Sequence, residues 1–258
     1  MIRLRRHGIR APHTWKADIR KALPDFNKFM IKAAQFERLP INSKARRQGF
    51  ISFAPEVLPN RKGKPYFPSC WSSAKEALAG MSRQKCSYCE GGINSLRAGQ
   101  VEHFKPKSVF PSLAYVWANY FLACGGCNGA KGDKWPSSGT YLRPDRGNPD
   151  GRLLFSNDGK VRAKPPRAAV KKTIDDFDLN RKWLVRLRKR HIRDVLRRLE
   201  DTEKVVAISR QIGRQLATNE LKRLRDCSQA YSAALTQCFL CAWQEACPGV
   251  RLRPGRHL

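Results

Sequence analysis

Acidic residues are scarce in this sequence. Asp and Glu number 21 against 51 Lys and Arg in 258 residues, which leaves a formal charge of +30. A field of that sign attracts polyanions, with nucleic acid the commonest partner of such a chain. Long apolar runs are also missing. No stretch reaches the roughly 20 residues of a transmembrane helix, so nucleic acid is expected ahead of an anionic membrane. The N-terminal "MIRLRRHGIRAPHTWKADIRKAL" lacks the apolar core and cleavage site of a secretory leader, although a transit peptide would share its basic character. There is no internal repeat. No GxxxxGK[ST] phosphate loop occurs, so any ATP dependence must reside in a partner.

Apolar residues make up 41% of the chain, enough for a buried core in one or two domains. Trp15, Ile19, Leu23 and Phe26 recur at helical spacing, with a break at Pro24. Residues 37–70 hold prolines and basic clusters and read as an irregular connection. "SSAKEALAG" at 72–80 opens on serines and closes on glycine, as a short capped helix does. "RLLFSNDGKVRA" reads as a hairpin turning at Asn157–Gly159. Beyond it the chain reads as helical. Leu184, Leu187, Ile192, Val195, Leu196 and Leu199 share one face of a highly basic segment, and a second segment over roughly 218–246 repeats the pattern. A basic helical face is either merely solvated or a track for phosphates, and the shortage of acids to balance it favours the track.

Nine cysteines are an odd number, and four of them form two C-x-x-C units, "CSYC" (Cys86, Cys89) and "CGGC" (Cys124, Cys127). Thiolates on metal in a reducing, cytoplasmic setting are expected over a disulfide scaffold. Two such units complete a tetrahedron of soft ligands, which suits Zn²⁺. Four thiolates leave no open position, so the ion would be structural. Cys238 and Cys241 repeat the spacing without a second pair nearby. With Cys247, Cys70 and Cys227 they are expected to be core residues.

The 34 residues between Cys89 and Cys124 carry Glu102, His103, Lys105, Lys107 and Asn119. "QVEHF" reads as a strand with His103 at its end, "YVWANYFLAC" as a second strand, and "CGGCNGAKGDKW" as a short helix bounded by Pro136. By itself His103 would read as a core histidine. Its neighbours change that.

The pattern C-x-x-C, EH-x-x-PK, W-x-N, L-x-C-x-x-CN-x-x-KGD over residues 86–135 resembles the zinc-stapled HNH nucleases of the ββα-metal fold. More narrowly, "EHFKPK", "LLFSNDGKV" and "TIDDFDLNRKWLVRLRKRHI" resemble the PtuB family, the HNH nucleases of Septu anti-phage systems and of some retron operons. The resemblance implies an α+β chain, mainly helical, with a small central ββα-metal module stapled by a four-cysteine zinc site. It places a helical region at 1–80, the nuclease core at 81–136, a loop and hairpin at 137–166 and a basic helical region at 167–258. It implies His103 as the base that deprotonates water. Glu102 and Asn128 would be oxygen ligands of a catalytic Mg²⁺ or Mn²⁺, with Glu102 standing where many members have Asp. Asn119 would fix the loop and orient the histidine. Lys105, Lys107 and Lys131 lie beside the site and would hold substrate phosphates. The implied partners are nucleic acid (DNA ahead of RNA), a PtuA-type ATPase subunit, and in a retron setting a reverse transcriptase with its RNA and DNA. Two alternatives stand beside this: a zinc-containing nucleic-acid-binding protein that cuts nothing, and an HNH nuclease of a restriction or mobile-element system.

Overall fold

The apolar spacing at the start of the chain becomes two helices in the computed structural model, α1 (His13–Ala22) and α2 (Phe26–Arg38). Pro24 separates them, and the Asp25 side chain caps the second by accepting from the Lys28 N–H at 2.9 Å. The structure describes residues 4, 6, 9–95, 98–137, 139–165, 168–208, 210–225, 230–247 and 252; side chains 150, 203, 205–208, 210 and 211 are outside that description. The chain divides into two units, one of residues 6–82 and 93–138, the other of residues 1–5, 83–92 and 139–258.

In the first unit α1 and α2 are followed by the short helices α3 (Lys44–Gln48) and α4 (Phe50–Phe53), then a two-stranded hairpin, β1 (Asn60–Arg61) with β2 (Lys64–Pro65). Residues 37–70, expected as a connection, supply core: Phe50, Leu58 and Phe67 are buried. Phe29 of α2 meets Phe50, Phe67 and Tyr115 edge-on at centroid distances of 5.5, 6.3 and 5.6 Å, an arrangement that aromatic quadrupoles favour. The prolines of this stretch interrupt regular structure without carrying it to the surface. After a 3₁₀ turn over Cys70–Ala74 comes α5 (Lys75–Ser82), which runs through Gly80, where the sequence pointed to a stop. Arg83 and Gln84 then take positive φ and end it.

The same unit holds an antiparallel pair, β3 (Gly99–His103) with β4 (Tyr120–Cys124), followed by α6 (Gly125–Lys131), which packs on both strands. The second strand is shorter than the sequence suggested, because Trp117–Asn119 form a 3₁₀ turn before it. Gly132, at φ 50°, closes α6 well before Pro136.

The second unit is mainly helical. The anticipated hairpin is present as β5 (Leu153–Phe155) and β6 (Val161–Ala163), with Gly159 at φ 87° in the turn. A Cβ at Gly159 would lie 2.3 Å from the Val185 carbonyl, so only glycine lets the turn approach so closely. Helices α7 (Ala168–Asp176), α8 (Lys182–Ile208), α9 (Arg210–Arg225) and α10 (Ser232–Ala246) follow, and the last three pack against one another. Leu184, Ile192, Val195 and Leu199 form the buried side of α8. The segment expected at 218–246 is divided between α9 and α10, with Tyr231 in the left-handed region at φ 59°. Arg188, also buried on α8, donates to the carbonyls of Gly159 at 2.7 Å and Leu179 at 2.5 Å. Among the described residues no helix is long and apolar enough to cross a membrane.

Candidate active site and metal centre

Side chains alternate across a strand, so Gln100 and Glu102 share one side of β3 while Val101 and His103 share the other. The Gln100 side meets α6, where Asn128 and Lys131 are three residues apart and fall on one helical face. Asn128 Nδ2 donates to Gln100 Oε1 at 2.7 Å. Lys131 Nζ sits 2.5 Å from Glu102 Oε1 and donates to the His103 carbonyl at 2.6 Å. The side chains of Lys131 and Glu102 are 2% and 0% exposed, so each charge is out of water and compensated by the other.

Lys131 is expected among the phosphate-holding lysines, but the fold buries it away from any substrate. Its ammonium points inward and joins α6 to the end of β3. Lys105 and Lys107 are half-buried. The Lys105 ammonium lies over the Phe110 and Trp135 rings, and that of Lys107 over Trp71 at 5.1 Å. Lys107 also lines a cavity of about 320 Å³ with Gln48, Phe50, Phe67 and Asp133.

His103 is 8% exposed and lies between Trp71 and Tyr120, both edge-on at 4.9 and 5.0 Å. Its Nε2 is 3.0 Å from the Ala114 carbonyl, which also accepts the Tyr120 hydroxyl at 2.6 Å. A carbonyl can only accept, so Nε2 carries the proton and Nδ1 holds the lone pair of the neutral ring. Burial, followed by the Lys107 charge, pushes the ring down to about 3, against the pull of the Ala114 bond. The imidazole is neutral at cellular pH.

Asn119 is buried and ties the loop that begins after β3. Its Oδ1 accepts from the Lys105 N–H at 2.8 Å, and its Nδ2 donates to the carbonyls of Lys105 and Leu113, both at 3.0 Å. Those contacts hold the residue before Ala114, and through it the acceptor that fixes the His103 ring. Sequence reasoning missed Trp71, Tyr120, Gln100 and the Ala114 carbonyl. Tyr120 directly follows Asn119 and alternates into register with His103, a signal that was available. Trp71 comes from a distant segment and left no local sign.

The sulfur atoms of Cys86, Cys89, Cys124 and Cys127 all lie within 4.8 Å of one another, and all but Cys124 are buried. Thiolates about 2.3 Å from a tetrahedral zinc stand roughly 3.8 Å apart, so the four can hold a metal such as zinc. The first pair sits on a tight turn in which the Glu90 N–H donates to the Cys86 carbonyl at 3.0 Å and the Cys86 N–H to Gly91 at 2.9 Å. The second pair spans the end of β4 and the first turn of α6. Among the other cysteines, Cys70, Cys238 and Cys247 are buried as anticipated, whereas Cys241 is exposed because α10 turns it outward. Cys227 lies outside the described residues.

Removing one partner of the buried ion pair leaves the other charge uncompensated. Lys131→Met is expected to lower stability by about 3–5 kcal/mol in denaturant unfolding, with part regained in Lys131→Met/Glu102→Gln. Purified protein is expected to contain one equivalent of zinc by elemental analysis, and Cys127→Ser to reduce both that content and the melting temperature. His103 is neutral when folded down to about 3 and titrates near 6.5 when unfolded. Its contribution to stability is therefore complete above about 6.5 and is lost as pH falls towards 3. A His103→Asn variant should lose stability less steeply over that window when both are unfolded thermally across pH.

Comparison with known proteins gives a relative for part of the chain. It is 33% identical to the Septu protein PtuB of Bacillus thuringiensis, over 46% of this chain and 42% of that one. It is 26% identical to the Septu protein PtuB of Bacillus mycoides (strain KBAB4), over 48% of this chain and 52% of that one. The chain thus spans about half the length of the curated relatives it matches. No family model and no solved structure matches it. Over that shared portion, the chain is similar to Septu protein PtuB.

Proposed function

We propose that this chain is a metal-dependent HNH endonuclease that hydrolyses nucleic-acid phosphodiester bonds. One observation carries the reading. A histidine at the end of β3 has its Nε2 proton fixed on a backbone carbonyl, which leaves Nδ1 as a proton acceptor, while the preceding Glu102 faces the α6 side of the strand, where Asn128 and Lys131 stand. Residues 81–136 are the catalytic core; 1–80, 137–166 and 167–258 are its N-terminal helical, linking and basic helical surroundings.

In this reading His103 Nδ1 takes the proton of the attacking water. A ring held near 3 accepts a proton weakly, and the negative charge of a bound phosphate raises its affinity for one. Asn119 and the Ala114 carbonyl keep the ring in one tautomer and one orientation. Glu102 and Asn128 would hold Mg²⁺ or Mn²⁺: a carboxylate and an amide oxygen are the hard donors such ions take, and with Asn128 Nδ2 turned to Gln100 its Oδ1 would be the ligand atom. The ion, when bound, neutralises charge on the phosphate and on the departing 3′-oxygen. Lys105 and Lys107 would hold neighbouring phosphates. The four-cysteine cluster would carry Zn²⁺ as a structural ion.

The similarity to Septu protein PtuB is the ground for proposing a cytoplasmic anti-phage effector with an ATPase partner of the PtuA type, and a reverse transcriptase with its nucleic acid where the system is a retron. DNA is the first substrate to test. One observation favours a second reading, that of a zinc-containing nucleic-acid binder that does not cut: Glu102 is ion-paired to Lys131, and His103 is nearly enclosed.

Incubation with DNA and RNA pools, alone and with the ATPase partner, separates the two. Cleavage that requires Mg²⁺ or Mn²⁺ is expected, reduced about 10²-fold or more in His103→Ala at unchanged zinc content. Binding without cleavage under every one of these conditions would establish the second reading.

A further inference from the structure

The outer side of α8 presents a basic stripe that the site described above does not use. Trp183, Arg186, Lys189, Arg190, Arg193 and Arg197 fall within a sector of about 120° at 3.6 residues per turn, opposite the buried Leu184, Ile192, Val195 and Leu199. All six are exposed. Asp194 stands at the margin of the sector, and Glu200 and Asp201 bound it at its far end. None of its five cations has an ion-pair partner among the described residues. Elsewhere in the same unit acids do take up cations: Glu220 pairs with Arg198 at 3.1 Å and with Arg223 at 2.6 Å. The stripe is therefore a field of unbalanced charge about 21 Å long at 1.5 Å per residue.

Trp183 makes this more than a solvated face. A tryptophan gains more from burial than almost any side chain, yet this one is 48% exposed, in line with the cations, with the Arg181 guanidinium 4.5 Å from its ring centroid. A row of cations neutralises phosphates without regard to sequence, and an accessible indole offers a surface on which an unpaired base stacks. A duplex keeps its bases stacked on one another and leaves the indole unmatched.

We propose that this face of α8 binds single-stranded nucleic acid, with Trp183 stacking on a base and Arg186, Lys189, Arg190, Arg193 and Arg197 following the backbone. The inference deepens the reading of the chain as a nucleic-acid enzyme by naming the form of the substrate. Binding here needs neither His103 nor a catalytic ion. A chain that binds in this way and never cuts defeats the nuclease reading alone.

The test is fluorescence anisotropy on the zinc-loaded 258-residue chain without added Mg²⁺ or Mn²⁺. The probes are a labelled single strand of about 16 nucleotides and the duplex of the same sequence. The single strand is expected to bind more tightly. Trp183→Ala should weaken that binding about 10-fold, with Trp183→Phe retaining most of it and duplex binding unchanged. Combining Arg186→Gln, Arg190→Gln, Arg193→Gln and Arg197→Gln should flatten the slope of log affinity against log salt by about 2.8, roughly 0.7 for each lost phosphate contact. Melting curves show which variants are folded; should the fourfold variant not fold, Trp183→Ala and Arg193→Gln carry the test singly. Equal affinity for duplex, unchanged binding by Trp183→Ala, or an unaltered salt slope in folded arginine variants overturns the proposal.

Discussion

An ammonium 2% exposed to solvent would be among the costliest groups in the first unit were it not paired. Lys131 meets that constraint by bonding to two acceptors at the same place, the Glu102 carboxylate and the His103 carbonyl. The consequence is geometric. The last turn of α6 is tied to the end of β3, which places Asn128, one turn earlier, over Gln100. The relation between the helix asparagine, the strand carboxylate and the histidine follows from one buried charge and its partners. Cation excess is usually a surface property; here one lysine serves as an internal strut.

Histidine 103 is governed by a second constraint, the need of every buried polar atom for a partner. The Ala114 carbonyl satisfies its Nε2, and Asn119 satisfies the backbone on either side of the loop that presents that carbonyl. Edge contacts from Trp71 and Tyr120 fix the plane of the ring. The outcome is one tautomer in one orientation, kept neutral by burial and by the Lys107 charge. Positive charge thus acts at two scales, with its sum over the chain favouring polyanions and a single lysine opposing protonation of one ring.

Spacing made several features legible in the sequence. Two C-x-x-C units predicted a four-sulfur cluster, and their sulfurs do converge. The Asn157–Gly159 turn predicted a hairpin because few residues other than glycine tolerate its backbone, and Gly159 is there at positive φ. Helical periodicity found α1, α2 and the apolar face of α8. Where local signal was weak the reading went astray. The prolines of 37–70 concealed Phe50 and Phe67, whose role depends on meeting Phe29, and the Trp117–Asn119 turn took residues that β-propensity assigned to a strand.

The amino-acid order by itself determined the charge sign, the cysteine pairs, the histidine at the end of β3 and the apolar side of α8. These depend on composition and on periods of two and 3.6, which are local quantities. Only the tertiary structure decided which way a charge faces. Lys131 and Arg193 are alike as sequence, basic residues on basic segments. One is buried against a carboxylate while the other stands exposed without an ion-pair partner among the described residues. That difference depends on the burial of each position and the charges that folding brings beside it, and both come from segments far away along the chain.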